Sequence, residues 1–107
     1  WNKVFADEGV DWAAYGLGSC VYLHTNPDDF EFDPLSFNAS DHSVTFFENA
    51  GGHPAVPLLL LALKVNGVDV SSKPGAMTSA VHSNRDIAET AVAMSRAIAM
   101  LKAESML

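Results

Sequence analysis

Basic residues are scarce in this chain. Six Lys and Arg stand against thirteen Asp and Glu, a net charge of -7, and the bases never cluster. Nucleic acid and anionic membrane surfaces select for such clusters, so both are poor partners for this sequence. Cysteine is reduced to Cys20 alone, which cannot close an internal disulfide and suits a reducing, cytoplasmic setting. No apolar run approaches the roughly 20 residues a membrane-spanning helix needs. The opening WNKVFADEGV has two acids and no apolar core of a signal peptide. A third glycine is missing after Gly16 and Gly18, and the residues beyond continue as strand, which excludes a dinucleotide fingerprint. Methionine is absent from the first position, held by Trp1, so a piece of a longer chain is the expectation.

What remains is enough for one small domain. At 107 residues and 49% apolar content the chain can bury a modest core and is not disordered. Residues 1–9 read as the end of a helix released by Gly9. Trp12 to Tyr15 and Ser19 to Thr25 read as strand, with a kink or bulge at the glycines between them. Residues 26–53 form an acidic loop region in which Phe30, Phe32 and Phe37 interleave with carboxylates. Three phenylalanines are too many for a solvated loop, so it either folds back over its own sheet or rests on a partner. A short strand or helical turn is allowed at Val44 to Phe47. Pro54 to Val65 reads as a helix that is apolar around most of its circumference and ends at Asn66 and Gly67. Such a helix needs cover on more than one side, which argues for a further domain or partner. Val68 to Ser71 and Ala76 to Val81 read as two short strands joined by the turn SSKPG. Ser83 with Asp86 makes a capping box for a long helix whose Ile87, Ala91, Met94, Ile98 and Leu101 share one stripe. The fold class is therefore α/β in the α+β sense: a small, mostly antiparallel sheet of three to four strands with helices on one face.

The chemistry-bearing residues do not assemble a catalytic or metal motif by spacing. His24, His42, His53 and His82 lack the i,i+4 spacing of a helical metal site, and the acids of residues 28–33 lack that of a calcium loop. Ser79 and His82, read as strand, point to opposite faces, and no serine has a nucleophile-elbow context. Asn38, Ala39 and Ser40 match a glycosylation sequon by chance composition. His82 is a turn residue at the helix entrance. Among the lysines, Lys73 in the turn is the one at an interesting place.

The segment NGVDVSSKPGAMTSAVHSNRDIAETAVAMSRAIAMLK, together with the preceding LLLALK and the upstream GSCVYLHT, resembles the C-terminal small domain of class III, fold-type I aminotransferases, most closely the glutamate-1-semialdehyde 2,1-aminomutase group. The similarity runs from Gly9 to Glu104, with the acidic loop unmatched. It implies a domain packed against a missing large cofactor-binding domain of the same chain, in a homodimer. Pyridoxal phosphate would then belong to the full-length enzyme, with none bound by this piece and no catalytic, cofactor-binding or metal residue within it. The turn would line the substrate entrance through Ser72, Lys73 and Gly75. It departs from the aminomutase pattern, since Lys73, Pro74 and Gly75 stand where an aromatic and a glutamate are expected. The alternative from the residues alone is a stand-alone interaction or oligomerisation module.

Overall fold

The computed structural model describes residues 1–71 and 75–107. The order of elements is α1 (Asn2–Glu8), β1 (Ala13–Tyr15), β2 (Cys20–His24), a 3-10 turn (Ala39–Asp41), α2 (Val44–Phe47), α3 (Val56–Val65), β3 (Gly75–Met77) and α4 (Asn84–Ala103). The radius of gyration, 13.1 Å, matches the roughly 13 Å of a single packed unit this long, so the acidic loop region is not splayed outward.

The sheet is three-stranded, ordered β1-β2-β3 and antiparallel throughout. Gly16 and Gly18 do not kink one strand as expected; they reverse the chain. Gly18 has φ 63°, and a Cβ on Gly16 would lie 1.9 Å from the Cys20 carbonyl oxygen, so β1 and β2 form a tight hairpin there. The expected strand at Val68 to Ser71 does not form. The Val68 amide bonds instead to the Leu63 carbonyl and closes the end of α3, while Val68 and Val70 pack against the core. Ala76 to Val81 is likewise strand only as far as Met77, after which the chain turns into α4.

Alternation along β2 divides the sheet into two faces. Leu23 joins the core, and Val21 faces α4 with Trp1 and Ile87 beside it. On this face α3 packs across α4, with Leu59, Leu63, Met94, Ala97 and Ile98 fully buried and Leu101 nearly so. The capping box at Ser83 forms as the sequence dictates: the Asp86 amide donates to Ser83 Oγ and the Ser83 amide to Asp86 Oδ2 at 2.6 Å. The predicted stripe packs only from Ala93 onward, because the first turns of α4 run past the core and leave Ile87 half exposed.

Three helices end in the same way. Gly9, Gly67 and Ser105 all have positive φ, and the amide of the next residue (Val10, Val68 or Met106) bonds back to Phe5, Leu63 or Leu101. Each is a Schellman closure, in which a hydrophobe just past the helix covers its own last turn. Glycine was legible as the stop at the first two. Ser105, with φ 56°, performs it at the third.

Candidate functional site

The second face of the sheet carries Ala13, Tyr15, Cys20, Tyr22, His24, Gly75 and Met77, and it is covered at one end only. The cover is the acidic region itself, which folds back over its own sheet. Its two ends are tied together: both the amide and Oγ1 of Thr25 donate to the Ala50 carbonyl, at 2.6 and 2.8 Å, and the His53 amide donates to Thr25 Oγ1. Just inside this neck, Asn26 adopts φ 48° and its side chain both donates to the Phe30 carbonyl and accepts from the Phe30 amide, each at 2.8 Å. That closed ring of bonds fixes the first turn of the excursion.

Inside the excursion an aromatic cluster forms around Phe46. The imidazoles of His24 and His42 each stack on it with centroids 4.1 Å away, at 9° and 18°. Two parallel rings that near cannot share one face at contact distances of about 3.5–4.0 Å, so Phe46 lies between them. Phe30, Phe32, Phe37 and Phe47 complete the cluster, and Phe47 carries it onto Tyr15 of β1 at 4.8 Å. His24 is fully buried. Burial lowers its affinity for a proton, an effect reinforced by His42 and opposed by the Phe46 carbonyl and Asp28. Burial also lowers the pKa of His53, whose ring packs edge-on to Trp12. The interleaved phenylalanines announced this cluster in the sequence. The two histidines did not, because residues 18 apart acquire a common partner only once α2 is placed.

At the other end the second face is open. Gly75 begins β3 opposite Tyr22, where a Cβ would stand 2.7 Å from the Val21 carbonyl oxygen. Glycine is therefore needed for the close approach of β2 and β3, and its missing side chain leaves one flank of Tyr22 bare. A cavity of about 410 Å³ occupies that flank, with Cys20, Tyr22, Asp69, Ser71 and Met77 besides Gly75 among its lining residues. The Ser71 amide and hydroxyl both donate to the Gly75 carbonyl. Across Tyr22 lies a second cleft of about 390 Å³, walled by Tyr15, Phe47, Glu48, Asn49 and Gly52. The Tyr15 phenol in it is pushed upward by burial and by Tyr22. Of the three residues expected at the entrance, Gly75 is placed here, and Ser72 and Lys73 lie outside the described residues.

Between them these clefts offer the phenols of Tyr15 and Tyr22, the Asn49 amide, the Cys20 thiol, the Ser71 hydroxyl and the carboxylates of Glu48 and Asp69. Among the described residues no three His, Cys, Asp or Glu side chains converge as a metal site. The described lysines Lys3, Lys64 and Lys102 are each paired with a carboxylate at the surface and line neither cleft, although the partner of Lys64, Asp69, lines the one beside Gly75. One expectation is corrected here. Ser79 and His82 do not diverge, since 78–83 is a turn in which the Ser79 amide donates to His82 Nδ1 at 2.9 Å and Ser79 Oγ lies 3.3 Å away. The pair is solvent-exposed, and the imidazole nitrogen is engaged by the backbone as a turn lock. No described helix is long and apolar enough to cross a membrane. No protein-family model matches the chain, and no curated protein matches it significantly.

Proposed function

We propose that this chain is the C-terminal small domain of a pyridoxal-phosphate-dependent aminotransferase, or of an enzyme like glutamate-1-semialdehyde aminomutase. In this reading it supplies a rigid platform, lines the substrate entrance with the second sheet face beside Gly75, and makes contacts across a cytoplasmic homodimer. The Schiff-base lysine and cofactor contacts belong to a large domain of the same enzyme.

The observation that carries the reading is the uncovered side of α3. Val56, Leu59, Ala62 and Leu63 are buried against the core, yet Leu58, Leu61 and Val65 stay 40%, 60% and 78% exposed on the same ten-residue helix. An apolar helix covered on one side is what a domain detached from a larger neighbour presents. The resemblance in sequence names that neighbour, and an antiparallel sheet with α3 and α4 together on one face supports the small-domain architecture it implies.

The test compares this chain with the product of the complete reading frame around it. The complete product should bind pyridoxal phosphate in a borohydride-trappable form and transfer amino groups, whereas this chain alone should trap none stoichiometrically. A stoichiometric adduct on this chain, or a reading frame with no lysine-bearing cofactor domain, would sink the proposal. In the latter case, a stable oligomer of the chain by sedimentation would establish the oligomerisation module instead.

A further inference from the structure

The buried ring of His24 is held at both of its nitrogens. Nε2 lies 3.3 Å from the Phe46 carbonyl, which only accepts, so Nε2 carries the hydrogen. Nδ1 receives the Asn26 amide at 3.3 Å, which only donates, so Nδ1 carries the lone pair. One neutral tautomer satisfies both partners. A second proton can go only to Nδ1, where it would face the Asn26 N–H inside a fully buried site.

We propose that His24 is a proton-released latch: uptake of one proton at Nδ1 breaks the Asn26 bond and frees the 26–50 excursion from the second sheet face. Both partners belong to the excursion, Asn26 at its neck and Phe46 at its centre, so the imidazole of β2 holds it at two points. The charged and titratable groups around the ring oppose one another. Asp28 and the stacked face of Phe46 favour a cation, whereas burial and His42 disfavour it. The remaining walls, Phe32, Phe37 and Phe47, carry no charge. Burial is the largest of these effects and holds the group below its ordinary value of 6.5.

The direction follows by linkage. With the excursion open, His24 meets water and titrates near its ordinary value, so the open form takes up the proton first as pH falls. The opening constant then rises by up to about tenfold per pH unit below 6.5, until the closed form protonates as well. Opening uncovers Tyr15, on which Phe47 packs, and with it the covered end of the second face. The latch does not depend on the enzymatic reading of the chain.

The experiment is an NMR titration of this chain from pH 7.5 to 5.0, following the His24 ring and the hydrogen-exchange protection factors of the Thr25, Phe30 and Ile98 amides. Protection at Thr25 and Phe30 should fall as pH drops below 6.5, level off once the His24 ring itself titrates, and remain below that of Ile98 in the core, which reports global unfolding. His24→Gln should abolish the pH dependence. Should that variant be open at every pH, His42→Gln and His53→Gln serve in its place: both keep the latch, and loss of the pH dependence in either overturns the proposal. Constant protection across the range, or a decline that follows His53 in place of His24, overturns it too.

Discussion

Replacing Phe46 by alanine tests whether the excursion is an integral part of the fold. The ring is 9% exposed and touches His24, His42, Phe30 and Phe47, with centroids 4.1 to 5.0 Å away. Phe→Ala at a buried site costs about 3–5 kcal/mol, the spread reflecting how far the surroundings collapse. Here Phe30 is 43% exposed and sits with His42 on irregular backbone that can move inward, which places the loss near 3 kcal/mol. The Phe46 carbonyl that meets His24 survives the change, so no polar group is orphaned. Against a total stability of about 5–15 kcal/mol such a loss is large, and it lowers Tm by about 12–24 °C at 4–8 °C per kcal/mol. Urea unfolding followed by tryptophan fluorescence is the assay, because Trp1 and Trp12 report from the helix-covered side. The midpoint should fall with little change in slope. A shift equivalent to less than about 0.5 kcal/mol, the range of ordinary surface changes, would refute the reasoning and make the excursion a loosely draped loop.

Three further outcomes are expected. Gly75→Ala brings a Cβ to 2.7 Å from the Val21 carbonyl oxygen and should cost about 1–3 kcal/mol, as overpacking does; an unchanged urea midpoint would show that β3 can shift freely. Ser105→Gly should stabilise the chain by about 0.5–1 kcal/mol, read as a higher Tm, because φ 56° penalises a side chain that glycine lacks. Global stability should decline as pH drops below 6.5, since burial holds both His24 and His53 below that value and the unfolded chain binds their protons first. Urea midpoints at pH 7.5 and 5.0 check this, and equal midpoints would contradict the burial of both rings.

Much of the helical framework was legible in the sequence, because its signals are local. Gly9, Asn66 with Gly67, and the Ser83–Asp86 box each act within one turn, and each is found where expected. The strands were less legible. A pair of glycines reads equally as a kink or a reversal, and only the pairing of Tyr15 with Tyr22 decides between them. Val68 to Ser71 has strand composition, yet the closure of α3 consumes the Val68 amide, a competition invisible to alternation. At the candidate site, Gly75 was found for its place in a turn, whereas its close approach to Val21 depends on β2, some fifty residues earlier. The same distance in sequence hid the joint stacking of His24 and His42 on Phe46.

The three helix closures also bear on the order in which the fold assembles. Each links residues five apart, from Val10 to Phe5, Val68 to Leu63 and Met106 to Leu101. Contacts so local form on the timescale of the helices themselves, about 0.1–1 μs, whereas β3 must cross more than fifty residues to find β2. The helices therefore have their lengths and exit directions set before the sheet exists, and sheet pairing is the slow event. Gly67→Ala should slow folding nearly in proportion to the stability it removes, a φ-value near 1, while Gly75→Ala, at the pairing made in the slow step, should divide its effect between folding and unfolding.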